Sequence, residues 1–265
     1  MKRPNDIVRL DGRVALVTGA GQGVGRAAAH MLAGAGAACV VVNDYFPDRA
    51  RRVAAEIEAD GGRAIARACD VGDPGAVRSM VEEARSIAGP VAVLVNNAGN
   101  AGPGGISETL PAFWETRPED WDAWIRTNFN GVLNACHAVV PGMIELGWGR
   151  IVTVISDAGR VGEPHYAVYS GAKAGAAGFM RALAKGVGRH GITANCVALS
   201  AIMTPGLAAR MATEEQRRKV LSRYVVKRVG DPEDAAAMIM FLASEAAGWI
   251  TAQTYPVNGG YAVSQ

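Results

Sequence analysis

Short apolar, β-branched runs alternate along this chain with longer stretches whose apolar residues recur at helical spacing. Val14–Thr18, Cys39–Asn43, Ala64–Cys69, Val91–Val95, Ile151–Ile155, Thr193–Ala198 and Thr254–Val257 read as strands, whereas Arg49–Ala59 and Pro74–Ile87 read as helices. Apolar residues fill these strands almost continuously, as they must where both faces of a sheet are covered. Strand and helix in alternation then predict an α/β fold, a doubly wound parallel sheet of about seven strands with helices on both faces. No linker composition and no fixed-period repeat interrupts the pattern. Residues 1–265 are therefore expected to form a single domain, with 1–9 a loose N-terminal extension.

Two stretches break the rhythm. Residues 100–118 carry Gly102, Pro103, Gly104 and Gly105 and then Phe113-Trp114, and residues 201–224 open on Ile202-Met203-Thr204-Pro205. Each follows the carboxyl end of a predicted strand, the edge at which open α/β sheets bind ligands. Long loops in a compact domain are usually functional, so both are expected to be substrate loops.

Composition narrows the function classes. An apolar share of 49% in 265 residues supports a packed core and excludes a mainly disordered chain. With 27 Lys+Arg against 25 Asp+Glu the net charge is +2, which argues against a nucleic-acid binder that works by neutralising phosphates. The apolar run from Ala235 to Ala243 is too short to span a bilayer, and no signal peptide follows Met1, so a soluble, cytoplasmic protein is expected. Cys39, Cys69, Cys136 and Cys196 lie far apart, without a C-x-x-C pair or a His at ligand spacing. Neither a disulfide nor a metal is expected.

The first strand runs directly into Gly19-Ala20-Gly21-Gln22-Gly23-Val24-Gly25 and then an alanine-rich helix. Glycines there permit a tight turn and a close approach to a pyrophosphate, which the helix N-terminus attracts through its unpaired N–H groups and dipole. At the head of a βαβ unit this spacing points to a bound dinucleotide. Asp44 ends the second strand nineteen positions past Gly25. A carboxylate there accepts hydrogen bonds from ribose hydroxyls and repels a 2′-phosphate. Gln22 is neutral where a basic side chain would pair with that phosphate, so NAD is expected over NADP.

Tyr169-Ser170-Gly171-Ala172-Lys173 adds a tyrosine and a lysine at i, i+4, on one side of a helix. A tyrosine with a reference pKa of about 10 needs a nearby positive charge to act as a base at neutral pH, and Lys173 is placed to supply it. Upstream stand Asn96-Asn97-Ala98-Gly99, Asn128 in Thr127-Asn128-Phe129, and Ser156 thirteen positions before Tyr169. With Thr18-Gly19-x-x-x-Gly23-x-Gly25, these motifs make the chain resemble the classical short-chain dehydrogenase/reductases from about Leu10 to Tyr261.

The resemblance implies a Rossmann fold and four catalytic residues. Tyr169 is the general acid/base, Lys173 bonds the nicotinamide ribose, Ser156 positions the substrate oxygen, and Asn128 holds a water that relays protons. It also implies cofactor contacts beyond Gly19, Gln22, Gly23, Val24, Gly25 and Asp44. These are Asp70 and Val71 at the adenine edge, Asn97, Ala98 and Gly99 along the ribose and nicotinamide, and Ile202 and Thr204 at the carboxamide and phosphate. Asn96 is expected to brace the sheet. The chain departs from the family's pattern at Leu199-Ser200, where Pro-Gly is usual, and at Ala252, where glycine is common.

The expected activity is therefore interconversion of a secondary alcohol and a ketone with NAD, on a hydroxysteroid, alicyclic alcohol or hydroxyacyl substrate. Ser156, Tyr166, Tyr169 and Leu199 are expected to bind it. Phe113 and Trp114 would add an apolar wall, and Glu163 and His165 polar groups. Alternatives are a 3-oxoacyl-thioester reductase and a non-catalytic NAD-binding protein on the same scaffold. A sugar-nucleotide epimerase or dehydratase shares Y-x-x-x-K but carries a larger C-terminal domain than the roughly ninety residues that follow Lys173. Small residues from Ala172 to Gly178 permit close helix approach, and the resemblance implies a homotetramer or homodimer. A small-molecule substrate, and neither nucleic acid nor membrane, is the expected partner.

Overall fold

The computed structural model describes residues 7–100, 111–203, 207–208 and 211–263. Among them the apolar runs form seven strands: β1 (Val14–Val17), β2 (Cys39–Asp44), β3 (Ala64–Ala68), β4 (Val91–Asn96), β5 (Gly149–Ser156), β6 (Ile192–Leu199) and β7 (Thr254–Val257). They pair in parallel throughout, in the order β3-β2-β1-β4-β5-β6-β7. Seven strands, all parallel, match the expectation. The chain moves outward from β1 to β3 and then returns to lay β4 against the other side of β1. Ligand crevices open at such a reversal, beyond the carboxyl ends of the strands.

The helices are α1 (Gly23–Gly34), α2 (Pro47–Ala59), α3 (Pro74–Ala88), α4 (Asp122–Ile125), α5 (Gly131–Leu146), α6 (Ala158–Val161), α7 (Ala167–Val187), α8 (Glu214–Leu221) and α9 (Pro232–Ala243). Alternate residues of each strand feed opposite cores. Val14 and Leu16 of β1 pack with Met80 of α3, Val139 of α5 and Met180 of α7. Ala15 and Val17 pack with Leu32 of α1, Ile57 of α2 and Ile239 of α9.

Local chemistry sets where most helices begin. Pro occupies the first turn of α2, α3 and α9, and Asp73 caps α3 by accepting from the Gly75 and Ala76 N–H groups. α1 is different: Gln22 makes no side-chain cap and its first turn holds no acid. Before α5 the chain passes through a π-helical turn over Arg126–Asn130, which widens the helix by a residue and buries Asn128.

All four cysteines are buried and free, and no cluster of metal-ligating side chains stands among the described residues. No described helix is long and apolar enough to cross a membrane. Ile7 accepts a hydrogen bond from the Ala246 N–H, and Leu10 is buried; residues 1–6 lie outside the described residues.

Ala252 has φ 62°, the only positive φ at a non-glycine among the described residues. A Cβ in that region crowds the following carbonyl and is disfavoured by about 1–2 kcal/mol, against about 0.4–1 kcal/mol of extra unfolded-state freedom for glycine. Ala252→Gly is therefore expected to stabilise the fold by up to about 1 kcal/mol. Thermal unfolding should show a Tm higher by about 2–4 °C, the usual response for a chain of this size.

Candidate active site

A cleft of about 650 Å³ opens along the carboxyl edge of β1, β2, β4, β5 and β6. Gly19, Gln22, Gly23, Val24, Asp44, Asp70, Val71, Asn97, Ala98, Gly99, Ser156, Tyr169, Lys173, Leu199 and Ile202 all line it. Thr204 lies outside the described residues.

At one end the glycine turn leads into α1. Gly19 has φ +61°, and a side chain there would collide with the Ala98 backbone 2.8 Å away. A Cβ on Gly25 would lie 2.3 Å from the Gly19 carbonyl and 2.4 Å from Asn97 Nδ2, so the helix seats against the turn only because residue 25 is glycine. A Cβ on Gly23, by contrast, would meet open space. The uncapped N-terminus of α1 thus presents free N–H groups and the positive end of its dipole, which is what a pyrophosphate requires.

Asp44 is buried beside this turn, where its Oδ2 accepts the Gly21 N–H at 2.9 Å and its Oδ1 the Phe46 N–H at 3.0 Å. The sequence reading missed two bases nearby. Arg49 lines the cleft with its guanidinium 4.4 Å from the centre of the Phe46 ring, and Arg52 donates to the Gly21 carbonyl at 2.9 Å. Their positions in the first two turns of α2, just past the acid, were the available signal. Asp70 is held by the Gly72 N–H and by Arg126 at 3.0 Å, so an adenine contact would share an oxygen already engaged. Val71 is buried and packs in the core.

At the other end Ser156, the last residue of β5, stands next to the Tyr169 hydroxyl and accepts the Ala158 N–H at 3.1 Å. Lys173, one helical turn beyond Tyr169, is 4% exposed and donates to the Val154 carbonyl at 3.0 Å. Asn128 is fully buried; its Nδ2 donates to the carbonyls of Asn100 and Trp124, while its Oδ1 has no hydrogen-bond partner. A Cβ on Gly99 would sit 2.9 Å from that Oδ1 and 3.3 Å from Lys173 Nζ, so the absence of a side chain at Gly99 leaves the two facing each other.

The electrostatics correct one expectation. Burial pushes the Tyr169 phenol above its ordinary value, opposed by the hydrogen bond with Ser156. Lys173 does not reverse this, because its ammonium lies 5.8 Å from the Tyr169 ring centre and donates its hydrogen bond to the Val154 carbonyl. Burial also pushes Lys173 itself down to about 8. The pair is thus strained electrostatically, with each charged form disfavoured by desolvation.

Of the two loops expected to bind substrate, residues 101–110, 204–206 and 209–210 lie outside the described residues. Tyr166 packs edge to face with Tyr169 and Trp124, and Trp114 is 83% exposed. Glu163 does not stand free. The Tyr261 hydroxyl donates to it and Arg223 lies 3.5 Å away, joining the wall after β5, the segment after α8 and the C-terminal residues. Leu199 reaches the cleft but is buried against the core beneath α9.

Residues 19–262 match the family model described as enoyl-(acyl carrier protein) reductase. The chain is 38% identical over 251 residues to the (2S)-[(R)-hydroxy(phenyl)methyl]succinyl-CoA dehydrogenase subunit BbsD of Thauera aromatica, covering 95% of this chain and 97% of that one. Among solved structures it resembles a 7α-hydroxysteroid dehydrogenase complexed with NADH and 7-oxo glycochenodeoxycholic acid, with TM-score 0.89, 34% identity and 98% of each chain covered. It also resembles a gluconate 5-dehydrogenase from Burkholderia cenocepacia J2315 in complex with NADP and tartrate. There the TM-score is 0.89 at 32% identity, with 98% of this chain and 100% of that one covered.

Buried Lys173 makes stability depend on pH in a definite direction. Between its folded value of about 8 and an unfolded value of about 10.4, the unfolded chain holds a proton that the folded chain has lost. Stability from this group therefore rises with pH across that window. The buried thiols Cys69, Cys136 and Cys196, pushed up to between about 11 and about 12, act oppositely above about pH 9. Comparison with Lys173→Met isolates the lysine. Denaturant unfolding should find that variant more stable than wild type by about 1–3 kcal/mol at pH 7, with the gap shrinking by pH 10.

Proposed function

The chain belongs to the short-chain dehydrogenase/reductase family, and we propose that it interconverts a secondary alcohol and a ketone with NAD, Tyr169 serving as general acid/base. The observation that carries this reading is the convergence of Ser156, Tyr169 and Lys173, with buried Asn128 facing Lys173 across Gly99, at one end of a cleft whose other end is the uncapped N-terminus of α1.

The residues suit a dinucleotide. The α1 N–H groups would hold the pyrophosphate, Asp44 the adenosine ribose, and Lys173 the nicotinamide ribose. When bound, the nicotinamide supplies the hydride acceptor and, oxidised, a positive charge. That charge is what the protein alone leaves missing, since burial holds Tyr169 high. In oxidation Tyr169 Oη accepts the carbinol proton while the Ser156 hydroxyl bonds the same substrate oxygen. Asn128 Oδ1, facing Lys173 across Gly99, is the acceptor for a water that would carry the proton outward.

NAD rather than NADP rests on Asp44. Its carboxylate is fixed against the Gly21 N–H, so it cannot swing away from a 2′-phosphate without breaking the turn's own hydrogen bond. Arg49 and Arg52 moderate that repulsion without removing it. A hydroxyacyl-thioester substrate, oxidised or, as the 3-oxoacyl form, reduced, is a second reading. It is favoured by the coenzyme A thioester in the name of the Thauera relative and by exposed Arg217, Arg218 and Lys219 on α8. A homotetramer or homodimer is part of the proposal, supported by Trp249, which is wholly exposed. Free buried cysteines suit a reducing, cytoplasmic setting.

Tyr169→Phe keeps the ring and its packing but removes the proton acceptor. With NAD and a panel of secondary alcohols, nicotinamide absorbance should show turnover lower by about 10²–10⁴-fold while calorimetry still detects NAD binding. Near-normal turnover would place the base elsewhere. Asp44→Ala should shrink the ratio of NAD to NADP affinity by about tenfold, or 1.4 kcal/mol. A wild-type protein that binds NADP more tightly than NAD would refute the cofactor assignment.

A further inference from the structure

The Tyr169 ring is a wall of two cavities. Besides the long cleft, it borders a separate hollow of about 340 Å³ between the segment Pro111–Trp124 and the start of α7. Aromatic rings dominate this hollow. Phe113 and Trp121 stack at 5.3 Å with 22° between their planes. Trp124, Tyr166 and Tyr169, also in its lining, meet edge to face, with centroids 5.9, 5.7 and 6.3 Å apart.

Most polar groups around the rim are engaged with one another, His165 excepted. Arg117 forms a two-point ion pair with Asp120, Trp121 Nε1 donates to Thr116 Oγ1 at 2.9 Å, and the Ala112 N–H donates to Glu115 Oε2 at 3.0 Å. A charged occupant would find no unpaired partner among these groups, whereas a flat apolar one meets ring faces and edges on both sides. The volume lies at the small end of the range for small-molecule sites, about 300–1,000 Å³. It suits one ring or two fused rings and excludes a peptide helix.

The hollow is also wired to the reacting groups. Tyr169 forms one wall, and the carbonyl of Trp124 accepts the Asn128 Nδ2 proton at 2.9 Å. An occupant therefore touches Tyr169 directly and Trp124, whose carbonyl holds Asn128. That is a way for binding energy remote from the carbinol to order the reacting centre.

We propose that this aromatic slot receives a ring of the substrate, so that the substrate is a secondary alcohol bearing an aromatic or alicyclic ring close to its carbinol carbon. The inference rests on the dehydrogenase reading above, and its test separates the two. Calorimetry with the full chain should show 1-indanone binding, with the affinity falling at least fivefold in Phe113→Ala, which trims a half-exposed ring, and in Val168→Trp, which fills the slot from α7. Circular dichroism and Tm report whether each variant is folded. With NAD, the ratio of kcat/KM for 1-indanol over 2-butanol should fall at least tenfold in both variants, chiefly through KM. If the wild type oxidises 2-butanol but the ratio is unmoved in folded variants, or if 1-indanone binds without competing with 2-butanol, the slot is not a substrate subsite. If neither alcohol is oxidised, the dehydrogenase reading fails, while loss of indanone binding in the variants still supports a ring-binding slot. A wild type that binds no indanone overturns the slot itself.

Discussion

The clasp between the carboxyl ends of β1 and β4 fixes everything at the working edge of this sheet. Thr18 Oγ1 accepts the N–H groups of Asn97 and Ala98 at 3.0 Å each, and Asn97 Nδ2 returns bonds to the carbonyls of Thr18 and Gly19 at 3.0 Å. Two strands distant in sequence are thereby locked where the topology reverses, the one place where neighbouring connections leave in opposite directions. The turn that follows must then pass under Asn97, which is why Gly19 and Gly25 tolerate no side chain. Opening this clasp would move the α1 N-terminus and the residues from Asn97 to Gly99 together, and with them the two ends of the cleft.

Parallel strands explain how residues far apart in the chain come to one place. In a doubly wound sheet every strand delivers its last residue to the same edge, so Asp44, Asn96 and Ser156 arrive there without any special device. Asn128 and Lys173 need more. The π-helical turn sets Asn128 inward, and the Val154 carbonyl holds an ammonium that burial alone would expel. Both groups are held at a loss of stability, one with an orphaned amide oxygen and the other with a desolvated ammonium.

Most of this was legible in the residues because the signals were local and redundant. Strand content followed from continuous apolar runs, and the glycine turn and the tyrosine–lysine pair follow from spacing on single elements. What escaped was tertiary. The strand expected over Ile151–Ile155 begins at Gly149, and the Arg150 guanidinium is accommodated 4.3 Å over the Trp148 ring, donating to the Ser244 and Gly191 carbonyls. The sign of the Tyr169 shift was missed for a related reason. Helical spacing places Lys173 on the same side as Tyr169 but says nothing of depth, and depth decides between attraction and desolvation. The aromatic slot joins two segments some forty residues apart, and only folding brings Trp121 and Tyr166 to one hollow.

The departure at Leu199-Ser200 shows how a fold replaces one constraint with another. With neither proline nor glycine at Leu199-Ser200, this chain fixes its backbone there from outside. Ser200 Oγ donates to the Asn258 carbonyl at 3.2 Å, the Ala201 N–H donates to the Tyr224 hydroxyl at 3.1 Å, and the Met203 N–H donates to the Gly230 carbonyl at 2.7 Å. Tyr224 in turn packs at 5.4 Å against Tyr261, whose hydroxyl holds Glu163. The exit from β6, the wall after β5 and the C-terminal segment are therefore one connected network. Proline would restrict the backbone in folded and unfolded chain alike; this network restricts it only when all three segments are in place. The stiffness of the mouth of the cleft thus depends on residues sixty positions apart in sequence, and a change at Tyr261 reaches the backbone beside Ile202 without touching it.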